Sequence, residues 1–200
     1  MDHIGGLPNL LWTIKKLTVI ARPGSCSLSG KVIHVAIPDL DVWNSIMQVL
    51  RCTQDSYRID FHLEPILIHD GVVFEESGFR VIAYHNRHMG IPRDGEAWKS
   101  FSYRIETDDR SIVYSGDLLS VNEIDSLVES GCDLLLMETG HHQVEDVCHY
   151  LKGPSKSFGR LVFTHHGLAI LADPDGELKK AREILGDVVL LASDGMVYDL

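Results

Sequence analysis

The stretch SYRIETDDRSIVYSGDL (102–118) reads as two short strands around a tight turn. Ser100–Glu106 and Ser111–Ser115 carry aromatic and β-branched residues, and Thr107-Asp108-Asp109-Arg110 between them suits antiparallel pairing. The second strand runs straight into Gly116-Asp117. Taken alone, that dipeptide is a turn with a self-capping aspartate. Its meaning depends on what stands at the ends of the other strands.

Working outward, short apolar runs predict further strands at Leu17–Ala21, Lys31–Ile37, Phe79–Tyr84, Asp133–Glu138, Arg160–Thr164, Val188–Ala192 and Met196–Asp199, with Asp194-Gly195 as a hairpin turn. Amphipathic spacing predicts helices at Asp41–Arg51, Val144–Leu151 and Gly176–Leu185. Ser120 with Glu123 forms a capping box ahead of Ile124, Leu127 and Val128, Gly131 supplies the stop, and Pro8 suits the first turn of another helix. This alternation is the pattern of a layered α/β domain, and 200 residues allow one sizeable core, so residues 1–200 are expected to form a single domain.

Composition narrows the function. No apolar run approaches the ~18 residues of a membrane span, and the N-terminus lacks a secretory pattern, so a soluble, cytoplasmic protein without membrane contact is expected. Cys26, Cys52, Cys132 and Cys148 show no CxxC spacing and read as reduced thiols. A formal charge of −11 opposes attraction to RNA. The 11 histidines are the strongest compositional signal, because imidazole is the commonest metal ligand and donates protons near neutral pH.

Acids and histidines gather where the predicted elements end. Asp2-His3 precedes the first helix, while YHNRHMG (84–90), YSGDL (114–118), METGHH (137–142) and FTHHG (163–167) each close a strand. Ends of neighbouring strands meet at one rim of a sheet, where imidazole and carboxylate suit Zn²⁺ at ~2.0–2.2 Å. His34, His62, His69, His149 and His166 read as structural or surface histidines.

In this order, Asp-His-x-Gly-Gly-Leu, a histidine ahead of an SYRIE strand, Gly-Asp and Thr-His, the sequence resembles the metallo-β-lactamase fold, and specifically its ribonuclease Z-like branch, over essentially its whole length. That family's first loop reads His-x-His-x-Asp-His. Aligned on it, Met1 takes the variable position before Asp2, which implies a chain truncated within the motif and an αββα sandwich lacking its first strands. The resemblance makes Asp2, His3 and His165 ligands of one metal, with Asp117 bridging to a second that also takes His88. His85, at the strand's end, is the alternative to His88. Two zinc ions are implied, with Mn or Fe as alternatives, roughly 3.5–4 Å apart.

The resemblance further implies a metal-dependent hydrolase that cleaves a phosphodiester or related ester with a metal-bound hydroxide. Asp2 would position or deprotonate the water, and His142 would protonate the leaving group, oriented by Glu138, with His141 as its competitor. The sequence departs from the family at Met137, where the family has histidine. Only Thr107 to Ser115 separates SYRIE from Gly-Asp, which leaves no room for a tRNA-gripping arm and favours a small phosphoester or ester over structured RNA. A thioester or lactone hydrolase shares the same ligands. A different reading is an impaired fold that binds at most one metal, since His88 and Asp117 alone are too few for a tight second site. The sheet edge left by missing strands would favour a homodimer.

Overall fold

The computed structural model describes residues 4–19, 27–53, 57–153 and 156–200. They fall into two units, Met1–Ile68 and His69–Leu200.

The first unit comprises α1 (Leu7–Val19), β1 (Val32–Ile37), α2 (Leu40–Cys52) and β2 (His62–Leu67). Asp39 caps α2 by accepting the Asp41 N–H, and the helix buries Trp43, Ile46 and Leu50, spaced to fall on one face. These pack with Leu11, Ile37 and Tyr57, whose hydroxyl donates to the Leu11 carbonyl at 2.8 Å. The strands pair in parallel from Val32 opposite His62 to Ile37 opposite Leu67.

Two expectations need correction in this unit. The predicted strand Leu17–Ala21 is helical through Val19, with residues 20–21 outside the described set. Thr18 and Val19 favour strands locally, but extending a helix already nucleated at Leu7 adds a hydrogen bond for each residue fixed. β2 was not anticipated because Pro65 cannot donate to a ladder. The strand tolerates it because, among the described residues, β2 pairs with β1 alone.

The second unit is built on a seven-stranded sheet whose strands lie in sequence order: β3 (Gly71–Glu76), β4 (Phe79–His85), β5 (Phe101–Thr107), β6 (Ser111–Tyr114), β7 (Cys132–Glu138), β8 (Phe158–Thr164) and β9 (Val189–Leu191). Pairing is antiparallel from β3 to β6 and parallel from β6 to β9. After β6 a 3-10 turn (Val121–Ile124) leads into α3 (Asp125–Val128), followed by α4 (Val144–Leu151), α5 (Leu168–Ala172) and α6 (Pro174–Leu185). α6 begins earlier than its apolar spacing indicates, because Asp173 caps it and Pro174 fits the first turn.

The core of this unit joins Val113, Leu135, Met137, Leu161 and Phe163 from the sheet to Val147, Cys148 and Ala181 from α4 and α6. Burying each large apolar side chain contributes about 1.5–3 kcal/mol. Met196–Asp199 forms no strand. The turn closes, with the Met196 N–H donating to the Ser193 carbonyl, but no described residue pairs with the segment beyond it, and Val197 is 85 % exposed. Strand preference is realised only against neighbours, and here there are none.

Candidate metal centre

Strand direction gathers the chemistry. β4 and β6 both run antiparallel to β5, and β6, β7 and β8 are mutually parallel. Their C-terminal ends therefore lie at one rim of the sheet, and from them emerge His88, Asp117, the Glu138–His142 turn and His165. Loops held by a rigid sheet at that rim are where α/β proteins place ligand sites.

Asp117, 7 % exposed, is central. Its Oδ1 lies 2.8 Å from His165 Nδ1, and its Oδ2 lies 3.6 Å from His88 Nε2 and 4.0 Å from His141 Nδ1. The His141 ring adjoins the other two, 4.6 Å from His88 and 5.5 Å from His165 by centroids. One donor atom each from His88, Asp117 and His141 lies within 4.8 Å of the others, and so do donors from Glu138, His141 and His165.

Local backbone fixes these positions. Gly116 has φ +58°, and a Cβ there would sit 2.7 Å from the Phe101 carbonyl oxygen, so only glycine lets β6 turn Asp117 inward. His165 itself adopts φ +46°, a left-handed conformation uncommon outside glycine. Its ring rests on Gly140, where a Cβ would come within 3.0 Å of Cε1 and Nδ1.

A buried polar relay joins the loops. The Asn86 side-chain amide donates to Ser102 Oγ, which donates to the Ser115 carbonyl, while Asn86 Oδ1 accepts the His88 N–H. Ser115 Oγ in turn accepts the Glu138 N–H. Glu138, 1 % exposed, accepts the backbone N–H groups of Leu118 and His141 and lies 3.1 Å from His141 Nδ1. A carboxylate only accepts, so that contact places the imidazole proton on Nδ1.

The site is negative. Burial, and after it the charges of Asp117 and Glu138, raise the Tyr114 hydroxyl above its ordinary 10. Imidazole nitrogens converging on a buried carboxylate are the donor set that first-row divalent cations take, so the residues fit a metal.

Of the residues singled out in the sequence, His88, Asp117 and His165 come together, and Glu138 lies beside both His141 and His142, whose Nε2 is 3.5 Å from Glu138 Oε1. Asp2 and His3 lie outside the described residues. His85 is engaged elsewhere: its Nδ1 is 2.6 Å from Asp70 and its ring stacks on Trp98 at 3.9 Å. Sequence reasoning missed the place of His141 within the ligand cluster and the supporting roles of Asn86, Ser102 and Ser115. The adjacency of His141 to Glu138 was the available signal, but the direction of the turn at Thr139-Gly140 decides which histidine faces Asp117.

No protein-family model and no curated protein matches the sequence. Solved structures do match. The metallo-β-lactamase fold protein YhfI from Bacillus subtilis superposes with TM-score 0.65 at 17 % identity, over 99 % of this chain and 73 % of that one. Zn²⁺-bound PqqB from Methylobacterium extorquens gives 0.56 at 13 %, over 95 % and 68 %. A diphosphatase from the PhnP family gives 0.50 at 15 %, over 94 % and 66 %. With its mixed sheet, flanking helices and histidine-aspartate rim, this chain has the metallo-β-lactamase fold.

Proposed function

We propose that the chain is a metal-dependent hydrolase of the ribonuclease Z-like type that cleaves a small phosphodiester or a related ester. The observation that carries this reading is the meeting of His88, Asp117, His141 and His165 at the ends of same-direction strands. The zinc in PqqB and the diphosphatase activity named for a PhnP relative support it, as properties of proteins sharing the fold.

A bound divalent cation supplies nucleophile at neutral pH by acidifying water, whose pKa falls from 15.7 to about 7 at catalytic zinc. His165 and His88 flank Asp117, whose two oxygens face them separately and suit a shared ligand. The resemblance assigns Asp2 and His3, which lie outside the described residues, as further ligands, with Asp2 as the residue that would orient the attacking water. Zinc suits this donor set, as Mn or Fe would. His142, whose Nε2 lies 3.5 Å from buried Glu138, would protonate the departing oxygen.

The rim favours a small substrate with apolar character. Met89 and Ile91 follow His88, Leu119 follows Asp117, and Leu168 follows His165; all four side chains are exposed. The formal charge of −11 and the short β5–β6 turn give a structured RNA little to hold. Metal content and hydrolysis of bis(p-nitrophenyl) phosphate, a thioester and a lactone, in the chain and in Asp117→Ala, test the proposal. The variant is expected to lose metal and activity by on the order of 10³-fold, several kcal/mol of transition-state stabilisation. Unchanged activity in Asp117→Ala rules the reading out.

A further inference from the structure

Read from the sequence, the second metal position has too few ligands: His88 and the shared Asp117. The structure supplies a third. Resting on the metal-dependent reading above, we infer that His141 is a metal ligand, and that His88, Asp117 and His141 form a three-residue cation site lying wholly within His69–Leu200.

The argument begins with position. The His141 ring adjoins the rings of both His88 and His165, and it offers a donor nitrogen within 4.8 Å of those of His88 and Asp117, so it belongs to the ligand cluster. Its setting is equally specific. Metal-binding histidines characteristically give their second ring nitrogen to a carboxylate, which fixes ring and tautomer. Glu138 is that carboxylate: it accepts the His141 backbone N–H at 3.0 Å and lies 3.1 Å from Nδ1, which leaves Nε2 as the ligating nitrogen.

The alternative trio of Glu138, His141 and His165 is less apt, because the Glu138 oxygens already receive Leu118, His141 and the imidazole. Three protein ligands are the number that catalytic zinc sites use, with the fourth position left for water or substrate. His142, on the other side of Glu138, remains the proton donor. His141 and His142 thus share one carboxylate and divide two tasks.

The test uses the full chain, stripped with chelator and titrated with Co²⁺, followed by calorimetry and visible absorption. His141→Ala is expected to lose one equivalent, or to bind it at least about 100-fold more weakly, the upper end of what even outer ligands' removal costs. His142→Ala keeps the wild-type stoichiometry. His141→Cys offers a gain of signal that neither a structural nor a proton-donating role produces: a thiolate-to-cobalt charge-transfer band in the near ultraviolet. Should the alanine variant fail to fold, this variant decides.

Wild-type affinity and stoichiometry in His141→Ala, or a cysteine variant that binds cobalt without the new band, overturns the assignment. The two failures are separable. If the unaltered chain binds no cobalt, the hydrolase reading falls as well; if it binds and the variants match it, only the ligand role of His141 falls.

Discussion

The Glu123 carboxylate accepts both the backbone N–H and the Nε–H of Arg87, each at 2.9 Å. Its other oxygen accepts the N–H groups of Leu119 and Ser120 at 2.9 and 3.1 Å. One side chain thereby ties the loop carrying His88 to the segment that follows Asp117.

This clamp makes stability depend on acid. Burial pushes the Glu123 carboxyl up, but its bonds from Arg87, Ser120 and Leu119 more than offset that and hold it below its ordinary 4.5. A carboxyl whose folded pKa lies below its unfolded one stabilises the fold above the unfolded value, and that contribution is lost as pH falls through the folded value. Urea unfolding followed across pH should therefore weaken below about pH 4.5. Glu123→Gln should make that acid slope shallower and cost about 1–3 kcal/mol at pH 7. An unaltered slope would remove Glu123 from the account.

Two glycines at the rim should fail differently. Gly116→Ala combines a left-handed backbone with a clash against the Phe101 carbonyl, a neighbour that cannot move cheaply. Left-handed backbone alone costs about 1–2 kcal/mol, so a clear drop in melting temperature is expected. Gly140→Ala presses first on the His165 ring, which can tilt, and less closely, at 3.2 Å, on the His165 carbonyl oxygen. Its melting temperature should change less than its metal affinity does, as differential scanning and cobalt titration would show.

The donor role proposed for His142 predicts a dependence on the leaving group. His142→Ala should slow release of an alkoxide by about 10²–10⁴-fold and release of p-nitrophenolate, which needs little protonation, far less. Equal losses for both substrates would assign His142 to the scaffold.

Thiol labelling checks the core. Burial raises the Cys132 thiol to about 11 and the Cys148 thiol to about 12, and both side chains pack among apolar neighbours. At pH 8 both should resist Ellman's reagent until the chain is unfolded, whereas exposed Cys52 should react at once. Prompt labelling of Cys148 would show that α4 opens from the sheet.

The parts of this fold that were legible in the sequence share a property: local pattern and burial agree. β7, with Cys132, Leu134, Leu135 and Met137 buried, reads as a central strand because nearly every residue meets the core. Where context overrides local preference, the reading fails, as where helix elongation carries Thr18-Val19 along and where β2 accepts Pro65 beside a single described partner strand. In the site, His88, Asp117 and His165 were legible because each directly follows a strand that is easy to see. His141 was not, because its place depends on how Thr139-Gly140 turns, and that turn is shaped by the His165 ring far along the chain. No local window contains that contact.

The change of pairing at β6 separates two tasks. From β6 onward every strand runs the same way, so each outgoing end faces the histidines while each incoming end is stapled by polar contacts such as the Ser111 N–H to Asp133 at 2.7 Å. The histidine-aspartate cluster and these stapling contacts thus occupy opposite edges of one scaffold. Polar contacts added at the incoming edge would reinforce the sheet at the end farthest from the histidines.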